Sequence, residues 1–83
     1  MATKPAPTDL RARRQALGIP LKAMARGIGL RPYDVREMED GTASPERLNH
    51  YAGWLRRLEG WPREHLAHEI ARAEAGSQFR LPS

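Results

Sequence analysis

Three side chains near the C-terminal end have metal-ligand chemistry: His65, His68 and Glu69. Residues three apart share one side of a helix, so the two histidines could hold a common cation. The pattern falls short of a site. Its order differs from the His-Glu-x-x-His zinc motif, no third histidine or cysteine is nearby in sequence, and solvated surface histidines explain the pair. There is no glycine-rich phosphate loop and no nucleophile elbow, and 83 residues of helical pattern leave little room for a closed active site. The expectation is a non-enzyme with no cofactor and no metal.

The chemistry favoured by composition is charge. Arginine outnumbers lysine twelve to two, and the net charge of +4 is unevenly spread. Residues 1–36 carry eight basic groups against two acidic ones, or +6, while the remainder carries six against eight, or −2. A basic half followed by a mildly acidic one suits a polyanion approached from one side. Side chains able to read such a partner fall between Arg31 and Asp40. At about 100° per helical residue, Val35, Met38 and Glu39 lie on one arc of this stretch. Tyr33, Arg36 and Glu37 lie on the opposite arc, with Asp40 beside Tyr33.

The elements that must position that arc read as a helix-turn-helix over Leu21–Gly41. Apolar residues at Met24, Ala25 and Ile28, then at Leu30, Val35 and Met38, give two short helical faces separated by a turn at Gly29. Ala25 is small where the second helix crosses the first, and Gly29 can take the positive φ that reverses the chain. Proline marks the helix starts: Pro20 for a helix to Gly27, Arg31 or Pro32 for one to Asp40, Pro45 for one to about Leu58 with Ser44 as cap. Upstream, Thr8 or Asp9 can cap a first helix ending near Leu17, with Leu10, Arg14 and Leu17 inward and Asp9 and Arg13 at i,i+4. Leu48, Tyr51, Ala52, Leu55 and Leu58 make the fourth helix the main core helix, with Trp54 on the edge of that stripe. A fifth helix follows Trp61-Pro62 and runs to about Ala75. Its stripe of Leu66, Ile70 and Ala73 is thin, which leaves it to be shared with a second subunit or closed by Trp61 packed on Trp54 or Leu58. Met1–Pro7 is expected to be a flexible arm, residues 8–75 the domain, and 76–83 a frayed tail from which Phe79 and Leu81 could dock.

The small-residue, glycine and β-branched spacing of Leu21–Gly41 resembles the lambda-repressor and Cro-like (XRE-type) helix-turn-helix domains of bacteria and phages. Leu10, Arg14, Leu17 and Gly18 upstream and Glu39, Gly41 and Pro45 downstream extend the likeness over roughly residues 8–58. The resemblance implies an all-α, five-helix lambda-repressor-like bundle, in which the position of Arg14 pairs with that of Glu39 to tie the first helix to the third. It also implies a sequence-specific transcriptional regulator, of repressor type, that binds double-stranded DNA. Lys22, Arg26, Arg31 and Thr42 would then hold phosphates, and Tyr33, Arg36 and Glu37 would face base edges. Leu21 stands where the family usually has a phosphate-binding glutamine, and Asp40 where it has a neutral or basic residue.

One small helix-turn-helix reads few base pairs, so a homodimer is expected, with Trp61, Leu66, Ile70 and Ala73 as its interface. The alternative is a protein-interaction module on the same scaffold. Gly-Leu-Arg-Pro-Tyr followed by Glu-Asp-Gly is also similar to the cytoplasmic domain of the bacterial morphogenetic protein RodZ, whose membrane segment this sequence lacks. With no cysteine, no run near the roughly 20 apolar residues of a membrane span and no signal-peptide core, the expected compartment is the cytoplasm. Eighty-three residues allow one domain that buries about 60% of its unfolded surface, so packing alone must hold it.

Overall fold

Prolines and left-handed glycines punctuate the chain into helices. The computed structural model describes residues 7–82, excepting the side chains of residues 7 and 8. Among these residues there are five helices and no strand: α1 (Pro7–Ala16), α2 (Leu21–Gly27), α3 (Pro32–Asp40), α4 (Pro45–Glu59) and α5 (Arg63–Glu74). The fold is a small all-α bundle. Pro20 and Pro62 are the N-cap residues of α2 and α5, while Pro32 and Pro45 open α3 and α4. A missing N–H at these positions forfeits no helical hydrogen bond. Ser44 completes the start of α4 by accepting the Arg47 N–H at 3.3 Å. Gly18, Gly29, Gly41 and Gly76 all have positive φ and turn the chain just past helix ends.

Helix α2 is the centre of the packing. Its Ala23, Met24 and Ala25 are buried, with α3 against one side and α5 against another. The small side chains at 23 and 25 let both neighbours approach. Helix α1 lies against α3 and α4, sending Leu10 into the core, and α4 contributes Tyr51, Leu55 and Leu58.

Several expectations from sequence need correction. Helix α1 opens at Pro7, so Asp9 lies inside its first turn rather than capping it, and the arm assigned to residues 1–7 ends before Pro7. Residues 1–6, the rest of that arm, lie outside the described residues. Arg13 makes a two-pronged contact with Glu59 of α4, at 2.9 and 2.7 Å, in place of an i,i+4 pair with Asp9. Ile19, in the turn after α1, is a core residue, whereas Leu17 is only half-buried. Ala73 is fully buried in its own chain and offers nothing to a second copy. In the C-terminal segment Phe79 is buried while Leu81 remains 64% exposed.

Candidate nucleic-acid interface

Helix α3 is held by its two buried acidic residues, Asp34 and Glu39, while Tyr33, Arg36 and Glu37 face outward. At its start, Asp34 Oδ2 accepts the Arg31 backbone N–H at 3.1 Å and the Arg31 Nε–H at 3.3 Å. A carboxylate three residues into a helix satisfies an otherwise orphaned donor and sits favourably at the positive end of the helix dipole. The Arg31 guanidinium and backbone N–H, joined by Arg47 of α4 at 3.8 Å, hold the Asp34 carboxyl below its ordinary pKa.

Near the far end, Glu39 is 2% exposed and receives donors from three residues on two other helices. Arg14 of α1 donates through Nε to Oε2 at 2.6 Å and through Nη2 to Oε1 at 3.1 Å. The Tyr51 hydroxyl of α4 donates to Oε2 at 2.5 Å, and Arg11 Nε reaches Oε1 at 3.3 Å. Arg14 Nη1 is satisfied by the Ile19 carbonyl at 2.8 Å. Burial alone would push the Glu39 carboxyl up, but the hydrogen bonds from Arg14 and Tyr51 hold it below its ordinary value. Burial, then the bond to Glu39, pushes the Tyr51 phenol far up, so it stays a donor. Next to this buried group, Asp40 is half-exposed and paired with Arg11.

The face left over carries Tyr33, 64% exposed, and Arg36, also exposed, with Glu37 half-buried beside them. The Glu37 carboxylate, one turn on from Tyr33, pushes the Tyr33 phenol above its ordinary value. Thr42 lies just past the helix, its N–H and hydroxyl both donating to the Glu37 carbonyl at 3.0 and 3.2 Å. Arg31 is exposed at the other end, although its guanidinium is turned onto Asp34. Lys22 and Arg26 on α2 are exposed and line a shallow hollow together with Glu74 of α5, so this pair shares its surroundings with an acidic group. Among the described residues, no ion pair engages Lys22, Arg26 or Arg36. Trp61, Leu66 and Ile70 line a second hollow with Leu17, Leu58 and the charged Glu59 and Arg63, away from the core position of Ala73. His65, His68 and Glu69 do not converge. His65 donates from Nε2 to the Arg80 carbonyl at 2.7 Å, His68 is exposed, and Glu69 is buried against the C-terminal segment.

Sequence reasoning missed the roles of Arg11, Asp34 and Arg47. An aspartate three residues after an N-cap, behind a proline, is a recognisable helix-start signal. Arg11 and Arg47 carry no such local mark, because their partners lie on other helices.

The chain matches no family model, no curated protein and no solved structure at a significant level.

Proposed function

We propose that this chain is a sequence-specific regulator of transcription, of repressor type, that inserts α3 into the major groove of double-stranded DNA. The observation carrying this reading is the sorting of charge on α3. Asp34 is engaged by Arg31 at the helix's N-cap, and Glu39 and Asp40 by Arg14 and Arg11 of α1, while Arg36 stays exposed and unpaired beside Tyr33 and Glu37. An arginine that meets guanine O6 and N7 with two donors can discriminate by about 1–3 kcal/mol. Tyr33 can pack on a thymine methyl, and Glu37 can accept from a cytosine amino group. Lys22, Arg26, Arg31 and Thr42 serve the phosphates, Lys22 and Arg26 by charge alone. The protein acts without metal or cofactor, in the cytoplasm, as a dimer joined at the hollow formed by Trp61, Leu66 and Ile70. Sedimentation as a monomer both free and on a palindromic duplex would refute the dimer.

Readout and grip separate in two variants. Arg36→Ala should weaken binding to the preferred duplex by about 1–3 kcal/mol and relax one base position. Lys22→Ala should weaken every duplex alike and lower the salt dependence by about one counterion. Selection of bound sequences from random duplex DNA, followed by titration of the winner against both variants, provides the measurement. Equal, sequence-blind losses would leave Arg36 as a phosphate contact.

A second reading rests on Tyr33, whose exposed ring at the middle of the face also suits a protein partner, as in the RodZ cytoplasmic domain. No helix among the described residues is long and apolar enough to cross a membrane. Salt divides the two readings: DNA binding should fall steeply between about 50 and 200 mM, and a protein interface should not.

A further inference from the structure

The segment after α5 has the contacts of a bound peptide. Its main chain is held on both sides of Phe79. The Phe79 N–H donates to the Gly27 carbonyl at 2.8 Å, at the end of α2. The Arg80 N–H donates to Glu69 Oε1 at 2.6 Å, and the Arg80 carbonyl accepts from His65 Nε2 at 2.7 Å, both on α5. Glu69 is 1% exposed and is also held by Arg72 at 2.9 Å, with the Arg80 guanidinium 3.7 Å from its other oxygen. Between these anchors the Phe79 ring lies 6.3 Å from that of Trp54 and 6.0 Å from that of Trp61, edge-on to the latter. The floor under the ring is Gly27, where a Cβ would fall 2.2 Å from the Phe79 ring. Gln78 covers Gly29, its amide nitrogen 2.8 Å from where a Cβ would stand.

We infer that the cleft between α2, α4 and α5 is a peptide-binding site for an extended segment with an aromatic residue followed by a basic one. The chain fills it with its own Gln78-Phe79-Arg80, and the filled cleft holds the turn between α2 and α3 in place. The chemistry of the site specifies its ligand. Two tryptophans and a side-chain-free floor take a flat ring, a main-chain acceptor and a buried carboxylate take consecutive N–H groups, and the same carboxylate attracts the next side chain if it is cationic. The coupling to the turn is direct. Gly27 and Gly29, the residues under the segment, flank Ile28, and the Leu30 N–H, which closes the turn onto the Ala25 carbonyl at 2.8 Å, follows immediately. A tethered ligand occupies such a site at a high effective concentration, so a free peptide competes only when the tether's own ring is removed.

Gly27→Ala and Phe79→Ala, both in the full chain, test this. Gly27 is helical without positive φ, so alanine would ordinarily strengthen α2, whereas here its methyl displaces the Phe79 ring. Both variants should speed amide exchange of Leu30 by more than about tenfold, because local opening of the turn no longer has to break the clasp. A synthetic Ser-Gln-Phe-Arg-Leu-Pro peptide should restore protection to Phe79→Ala in a saturable way. It should do nothing for Gly27→Ala, where the floor is blocked, and the same peptide with alanine for phenylalanine should be inert. Should Phe79→Ala fail to fold alone, saturating phenylalanine peptide must restore a cooperative unfolding transition by mass action. Leu81→Ala, at an exposed position, should behave as the unaltered chain. Unchanged Leu30 exchange in both variants, or a Phe79→Ala chain that ignores the peptide, overturns the inference. None of these readouts involves DNA, so they stand or fall apart from the proposed regulator function.

Discussion

Replacing Arg14 by methionine should cost about 3–5 kcal/mol of folding stability, the range found when one partner of a buried ion pair is removed. Methionine keeps the length and apolar stem of the arginine but removes two of the donors to Glu39, leaving a carboxylate that is 2% exposed with only Tyr51 and Arg11. It also frees the Ile19 carbonyl, another buried acceptor. The contrast is Arg13, whose pair with Glu59 has the same two-pronged geometry, but with side chains 31% and 36% exposed. Arg13→Met should cost only about 0–1 kcal/mol. Adding Glu39→Met to Arg14→Met should recover part of the loss, since the stranded charge goes with it. Urea midpoints of the four chains give the comparison. If Arg14→Met shifts the midpoint no further than Arg13→Met, the buried pair is not what ties α1 to α3.

Acid should destabilise this protein through its paired carboxylates, of which Glu39 and Glu69 are the most deeply buried. Burial pushes the Glu39 and Glu69 carboxyls up, yet both end below their ordinary value. Arg14 and Tyr51 outweigh burial at Glu39; the Arg80 N–H and Arg72 do so at Glu69. In the unfolded chain each titrates near about 4.3. The folded state therefore binds protons less readily than the unfolded one. Its stability from these groups is complete above the unfolded value and is lost as pH falls through that value and on through the folded ones. The urea midpoint should be flat from neutrality down to about pH 5 and decline below about pH 4. Glu39→Gln should lower the plateau and make the acid slope shallower, since one of the titrating carboxylates is gone. A midpoint that rose on acidification would contradict the assignment of both carboxylates.

Most of the fold was legible because its boundaries are written locally. Pro20, Pro32, Pro45 and Pro62 each stand at a helix start, and Gly18, Gly29, Gly41 and Gly76 each lie just past an end. The exposed side of α3 follows from helical periodicity, which depends only on residues within the helix. What neutralises the acidic residues of α3 is another matter. Arg11 is 29 residues from Asp40, and only the way α1 crosses α3 brings them together. The C-terminal segment was illegible for a related reason. Nothing near Phe79 in sequence resembles a core, since its surroundings come from Gly27, Trp54 and Trp61. Gly27 itself reads only as the end of α2, and its role under the Phe79 ring is invisible without the fold. Ile19 escaped notice because a lone apolar residue between Gly18 and Pro20 has no periodicity to reveal its direction.

The position of Phe79 between Trp54 and Trp61 gives the protein a built-in optical reporter. These are the chain's only two tryptophans, so ultraviolet emission excited at the red edge of the absorption band arises from the walls of a single cleft. Trp54 also lies under the Arg57 guanidinium, and Trp61 meets the His65 ring edge-on, so the two indoles have unlike electrostatic neighbours. The aromatic residue on the face of α3, Tyr33, does not contribute at that wavelength. Emission from the unlabelled protein therefore follows the C-terminal segment, while a ligand that touches α3 alone should leave the spectrum dark to its arrival.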